Sequence, residues 1–159
     1  MSDARLAHIV LEGEALTRLS HVLEADRAQA VADLEAENSF FPVRLTCPEP
    51  GPYELHLSIQ EGRLVFDIRC MDGRPLYLTV LALGPFRGLI KDYQMVVESH
   101  GLAAQEGREA RVQAIDMGRR GLHDEGARVL MERLAGKVAI DFATARRLFT
   151  LVSVLHSRG

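Results

Sequence analysis

Five polar side chains alternate along two neighbouring stretches of this chain in a pattern that could support nucleophilic chemistry. Glu54, His56 and Ser58 occupy every second position of one stretch, and Asp67 and Arg69 do the same in the next. In extended backbone such residues share a face. Ser58, His56 and Asp67 then offer the types needed for nucleophile, general base and orienting acid. The spacing argues against an assembled site. Ser58 and His56 are next-but-one on one strand, roughly 7 Å apart at Cβ. Neither a strained nucleophile turn nor a set of oxyanion donors accompanies them. Glu54, His56, Asp67 and Arg69 are therefore expected to form a charge-paired polar patch on a solvated sheet face. Each pair would contribute a few tenths of a kcal/mol to about 1 kcal/mol.

The densest polar segment is Asp116–Glu125, with Gly118-Arg119-Arg120-Gly121 followed by His123 and Asp124. As a loop between helices, its glycines would admit phosphate close to the backbone and its arginines would neutralise the charge. Nucleic-acid-binding KH domains use a Gly-x-x-Gly loop in this way, but the apolar residue and glycine that precede that loop are not convincingly present. As a helix surface, Asp116/Arg120 and Arg120/Asp124 are i,i+4 pairs and the glycines leave room for another helix. The helical arrangement is the expected one.

Arg146 and Arg147 lie in an otherwise apolar stretch, where a partly buried guanidinium needs a carboxylate or carbonyls. A structural ion pair meets that need. The alternative is an anion site built from Arg119, Arg120, His123, Arg146 and Arg147. The six histidines (His8, His21, His56, His100, His123, His156) show no i,i+4 ligand spacing, and the two cysteines form no pair. No metal site and no cofactor is expected. His100 and His156 suit the negative ends of helices.

The elements that must position these residues centre on a β-meander that checks its own register. Tyr53–Gln60 and Arg63–Cys70 alternate apolar and polar about Glu61-Gly62. Folding there sets Ile59, Leu57, Leu55 and Tyr53 against Leu64, Phe66, Ile68 and Cys70 on one face. On the other face Gln60, His56 and Glu54 meet Arg63, Asp67 and Arg69. A one-residue slip would put Asp67 on the core face, so the register is strongly specified. Glu61 tolerates a primed turn poorly, but a four-residue loop would keep the same pairing. A third strand covers about Pro75–Leu83. A three-residue loop with Gly73 left-handed would set Leu76, Leu78 and Val80 opposite Ile68, Phe66 and Leu64. A two-residue Asp72-Gly73 loop would set them opposite Arg69, Asp67 and Val65. The apolar pattern favours the first. Tyr77, Thr79 and Leu81 make the other face apolar enough to be partly covered as well.

Around the meander, Leu6–Leu11 reads as a strand and Glu24–Glu37 as a helix with Leu23, Arg27, Val31 and Leu34 on one side and Asn38 as its stop. Phe40–Val43 is a short extended piece, and Thr46–Pro52 a proline-rich loop. Gly84-Pro85 starts a helix whose stripe of Phe86, Leu89, Ile90, Tyr93, Val96 and Val97 runs to about His100, with Gly101 as its cap. Arg108–Ala135 is helical, with Gly118, Gly121 and Gly126 leaving open one helix, a kinked helix or two. Lys137–Ile140 is a short extended piece. Asp141 caps the last helix, Phe142–His156, whose wide apolar face is expected against the meander, with Arg146, Thr150, Ser153 and Ser157 as its polar stripe.

At 159 residues one domain spanning 1–159 is expected, large enough to bury roughly 70% of its unfolded surface. A net charge of −3 supplies no global basic field for nucleic acid or an acidic membrane, though a local patch stays open. Met1–Gly13 carries acidic residues and no unbroken apolar core, unlike a signal peptide. No apolar run nears the ~20 residues needed to span a bilayer. Cys70 on the core face and Cys47 in the proline-rich loop read as reduced thiols in the cytoplasm.

Gly51-Pro52-Tyr53…Leu55-His56-Leu57, Leu64–Arg69, Lys91-Asp92-Tyr93, Ala114–His123 and Thr144–Val152 together resemble one family, the uncharacterised protein family 0262 of small alphaproteobacterial proteins. The resemblance covers nearly the whole chain. It implies a bacterial cytosolic protein standing alone as one domain, and it brings no assigned activity, substrate or catalytic residue. The expected fold is α+β: a small antiparallel meander with one face covered by C-terminal helices. The expected function is non-enzymatic, a cytosolic binding or protein-interaction module, with a second copy of itself as one partner and neither membrane nor nucleic acid as another. The alternatives are a small enzyme or anion-ligand protein using the Arg/His cluster, and RNA binding through Gly118–Gly121. The anion reading requires Arg146 or Arg147 within one concave pocket with Arg119 or His123. The RNA reading requires an exposed loop.

Overall fold

A computed structural model describes residues 3–13, 19–45 and 49–156; Cys47 and Ser157 of the sequence reading lie outside them. Strands β3 (Tyr53–Gln60) and β4 (Arg63–Cys70) pair antiparallel with every partner as expected, from Tyr53 opposite Cys70 to Gln60 opposite Arg63. Their turn is the two-residue kind after all, with Glu61 at φ 52° and Gly62 at φ 73°. Ladder pairing on both sides outweighs the strain of a non-glycine residue in the left-handed region.

Strand β5 (Pro75–Ala82) corrects the sequence reading. Its loop is the three-residue one: Gly73 sits at φ 90° and its N–H donates to the Cys70 carbonyl at 2.9 Å. Arg69 faces Pro75, but Ile68 faces Tyr77, so Leu76 is an extra residue in a bulge. One extra residue reverses the faces. Leu78 now opposes Asp67 and Val80 opposes Val65, while Tyr77, Thr79 and Leu81 turn inward. Thr79 is 5% exposed and Leu81 4%, against 60% for Leu78. Alternation could not decide this strand because both of its faces are apolar.

Strand β1 (Leu6–Glu12) joins β3 in parallel, giving a mixed sheet in the order β1-β3-β4-β5. Between β1 and β3 come helix α1 (His21–Ala36) and β2 (Phe40–Pro42). Ser20 caps α1, its side chain accepting from Leu23 N–H at 3.3 Å. The buried residues of α1 are Leu23, Ala30 and Leu34; Arg27, expected on that side, instead pairs with Glu24 at 3.3 Å. Asn38 does more than stop the helix. Its amide donates to the carbonyls of Leu6 and Leu34, both at 2.7 Å, tying α1 to β1.

Helix α2 (Gly84–Gln105) continues through Gly101, and the left-handed residue after it is Gly107, at φ 73°. One helical glycine costs only about 1 kcal/mol, and another turn of intrahelical bonds offsets that. Helix α3 (Glu109–Leu134) is continuous through Gly118, Gly121 and Gly126. Strand β6 (Val138–Ile140) pairs antiparallel with β2 as a separate ribbon. Asp141 caps helix α4 (Phe142–Leu155), its carboxylate accepting from Thr144 N–H at 2.8 Å.

The fold is α+β, and α4 is its axis: it packs on α1, α2, α3, β1 and β3. The inner sheet face supplies Leu55, Leu57, Leu64, Phe66 and Ile68, all fully buried, and α4 supplies Leu148, Phe149, Leu151 and Val152. Among the described residues no helix is long and apolar enough to cross a membrane.

Candidate functional site

Helices α1 and α3 flank α4 and leave a cleft of about 240 Å³ above it. Helical spacing aligns the lining. Helix α1 contributes Asp26, Gln29, Ala30 and Asp33; α3 contributes Arg119 and His123; α4 contributes Ala143, Arg146, Arg147 and Thr150. Each set recurs at three or four residues, one helix face. Four of the five sequence candidates, Arg119, His123, Arg146 and Arg147, thus share one concavity, whereas Arg120 is exposed and does not line it.

The deep end is a closed polar network. Asp26 accepts from the Tyr93 hydroxyl and pairs with Arg119. Burial, followed by the Asp26 charge, pushes the Tyr93 hydroxyl far above its ordinary pKa, so it stays a donor. The Tyr93 ring lies 5.2 Å from the His123 ring and 5.9 Å, edge-on, from Phe149. Burial, reinforced by Arg119 and Arg146, lowers His123 to about 4, so its imidazole is neutral near pH 7. Arg146 Nε lies 3.2 Å from Asp124 Oδ1, an ion pair by distance, but the N–H does not aim at the oxygen and no hydrogen bond forms.

The open end is different. Among the described residues the Arg147 guanidinium donates only to the Glu37 carbonyl, at 3.3 Å, and the Asp33 carboxylate accepts only from Gln29, at 2.9 Å. Among the described residues the buried side-chain polar atoms lacking a hydrogen bond are His123 Nε2 and Arg146 Nε, and both residues line the cleft. Unpaired buried groups are few in native proteins and call for a reason. No Ser or Cys is among the described lining residues, and Thr150 donates its hydroxyl to the Arg146 carbonyl at 3.4 Å.

The polar patch on the outer sheet face forms in the expected register but with different partners. His56 opposes Asp67 and Glu54 opposes Arg69, yet neither of these cross-strand pairs forms: the contacts run along β3 and β4 and from β3 across to β1. His56 bonds Glu54 at 2.5 Å through Nε2 and reaches Glu12 of β1 at 2.8 Å through Nδ1. Arg69 donates to Asp67 at 2.7 and 3.1 Å. Burial alone would lower His56, but the bonds to Glu12 and Glu54 outweigh it and raise its pKa. Ser58 accepts from Gln60 at 3.0 Å and has no contact with His56, so no nucleophile–base pair exists there.

Gly118–Gly121 lies mid-helix, the expected arrangement, which rules out the exposed loop that the RNA alternative requires. The helix-surface pairs differ from those expected. Asp116 faces His100 at 3.1 Å and Asp124 faces Arg146, and Arg120 joins neither. Of the three glycines of α3, Gly126 is the close-packing one, against Phe149, while nothing approaches Gly118 or Gly121 within 4 Å. Sequence reasoning missed Asp26, Asp33 and Tyr93. The acids could have been noticed as Asp26, Ala30 and Asp33, one stripe of α1 at i, i+4 and i+7. Tyr93 was hidden in an apolar stripe.

Fold and cleft together define an α+β protein with one bare sheet face and a polar cleft among the helices packed on the other. The chain belongs to the Uncharacterised protein family (UPF0262), whose family model matches residues 3–158. It is 65% identical over 162 residues to a UPF0262 protein of Granulibacter bethesdensis, covering 99% of this chain and 92% of the other. It is 55% identical over 155 residues to one of Acidiphilium cryptum (98% and 94%) and 47% over 158 residues to one of Bradyrhizobium diazoefficiens (99% and 94%). No solved structure matches the chain. None of these descriptions states a ligand or reaction.

Proposed function

We propose that this protein is a non-enzymatic binding module whose α1/α3/α4 cleft takes a small anionic molecule. The observation that carries this is the convergence of Arg119, Arg146 and Arg147 on one cleft whose wall holds two buried polar atoms without a hydrogen bond, His123 Nε2 and Arg146 Nε. A guanidinium recognises a carboxylate or phosphate through several donors at once, and a neutral imidazole adds one orientable hydrogen bond. Binding rather than catalysis fits a lining that has no Ser or Cys among the described residues and whose Thr150 hydroxyl is donated to the Arg146 carbonyl. The test is calorimetry and thermal shift at low salt against phosphate, pyrophosphate, nucleotides and mono- and dicarboxylates. A ligand at 100 times its dissociation constant stabilises by about 2.7 kcal/mol, a rise of roughly 5–10 °C for a chain this size. Arg146→Gln and Arg147→Gln should each weaken binding at least tenfold. Binding indifferent to both, or absent across the panel, refutes the reading.

A second reading, a protein-interaction surface, is supported by the β5 edge, where Leu78 is 60% exposed and Val80 39%. Light scattering on wild type and Leu78→Lys tests it. An assembly that the lysine dissolves supports it, and a monomer in both counts against it.

A further inference from the structure

Resting on the anion-site reading, we infer that the ligand is amphoteric: a small molecule of the amino-acid class, carrying an ammonium beside its carboxylate. The sign of the lining is segregated by wall. Every charged lining residue of α1 is an acid, Asp26 or Asp33, and every one from α3 and α4 is an arginine, Arg119, Arg146 or Arg147. Asp26 is neutralised by Arg119 and Arg146 is faced by Asp124. Among the described residues that leaves one acid and one base of the lining without an oppositely charged partner, Asp33 and Arg147, both partly buried at the open end.

These two do not pair with each other. Gln29 holds the Asp33 carboxylate and the Glu37 carbonyl holds the Arg147 guanidinium. Opposite charges that line one cleft, yet are each restrained by a neutral partner, leave a gap that a dipolar ligand fills. Its ammonium would reach Asp33 and its carboxylate Arg147, with the inner face of the carboxylate or a side chain turned to Arg146 Nε and His123 Nε2. A polyanion fits worse, because three arginines against two aspartates give the lining a net charge of only +1, and the α1 wall would repel it. Size agrees. A cleft of about 240 Å³ has room for a molecule of amino-acid size.

The experiment is calorimetric titration of the full chain with three matched series: L-amino acids, the same acids lacking the amino group (glutarate, propionate, 3-phenylpropionate), and the same amines lacking the carboxylate. Wild type should bind at least one amino acid tenfold or more tighter than its deaminated acid. Asp33→Asn should erase that preference while leaving the deaminated acid within about threefold. Arg147→Gln should weaken both. An unchanged melting temperature of the unliganded Asp33→Asn variant certifies its fold. If deaminated acids bind as well as amino acids, or tighten in Asp33→Asn along with them, the amphoteric inference falls and the anion site stands. If neither series binds but phosphate or a nucleotide does, the inference falls again. If no anion of any kind binds, both fall.

Discussion

Gly126→Ala should destabilise this protein although alanine is the better helix former. A Cβ built at Gly126 would lie 2.5 Å from Cγ and Cδ1 of Phe149 and 2.6 Å from Cδ2. Ordinary carbon–carbon contacts need about 3.5–4.0 Å, so α3 and α4 would have to part by about 1 Å or the ring would have to turn. The ring has nowhere to go. Phe149 is fully buried, with Tyr93 at 5.9 Å and His123 at 6.4 Å, both edge-on. Overpacking of this kind costs about 1–3 kcal/mol, and three ring atoms struck at once put the site at or above the top of that range. The intrinsic gain of Ala over Gly returns up to about 1 kcal/mol, leaving a net loss of roughly 2–3 kcal/mol. Thermal unfolding should show a drop of roughly 4–12 °C, at about 2–4 °C per kcal/mol. Gly118→Ala and Gly121→Ala are the internal controls. Nothing lies within 4 Å of either, so each should rise by a few degrees from the propensity gain alone. In a double-mutant cycle, Phe149→Leu should cost less in the Gly126→Ala background than alone. A Gly126→Ala variant as stable as wild type would refute the claim that this glycine sets the α3–α4 distance.

Other outcomes follow from the same contacts. Because His123 is held at about 4, below its unfolded value near 6.5, the folded state excludes a proton that the unfolded state accepts. The stability this carries is full above pH 6.5 and is lost as pH falls towards 4, by at most roughly 3 kcal/mol; a urea-denaturation pH series should show the loss and His123→Phe should flatten it. His56 is raised instead, so its contribution is full below pH 6.5 and fades as pH climbs through its folded value; His56→Gln should remove that alkaline slope. Tyr93→Phe removes the hydroxyl donated to Asp26 and should cost about 1–3 kcal/mol in chemical denaturation, and an unchanged midpoint would show the bond to be idle. For β5, Leu81→Ala should cost about 2–5 kcal/mol and Leu78→Ala under about 1 kcal/mol; the reverse ranking would restore the unbulged register.

What could be read from the residues alone divides by range. The β3–β4 register was legible because both faces carried independent information: a slip would have buried Asp67 and exposed Leu57. The β5 register was not, because Leu76, Leu78 and Val80 compete with Tyr77, Thr79 and Leu81 on nearly equal terms. The choice falls to a bulge that only the covering helices can favour. The end of α2 shows the same limit, since Gly101 and Gly107 look alike as stop signals and only the second takes a left-handed φ. At the cleft, the arginines and His123 stood out as charge where apolar periodicity ran. Asp26 and Asp33 did not, because acids on a helix surface are the ordinary case and nothing local says that a second helix brings arginines opposite them.

The cleft and the core meet at one ring. Phe149 abuts Gly126 on α3 and stacks edge-on against Tyr93 and His123, so the helix spacing that Gly126 permits is also what brings His123 to the wall that Arg146 shares. Moving α3 outward by about 1 Å would lengthen the reach from His123 Nε2 and Arg119 to anything lying over α4, while leaving Arg147 and Asp33 in place. The glycine variant therefore separates the two halves of the cleft. In Gly126→Ala, affinity for a bound amino acid should fall while the preference for the amino acid over its deaminated acid, carried by Asp33, survives. Loss of the preference together with the affinity would mean that the open end does not act on its own, and that the charges at Asp33 and Arg147 are set by the packing of α3.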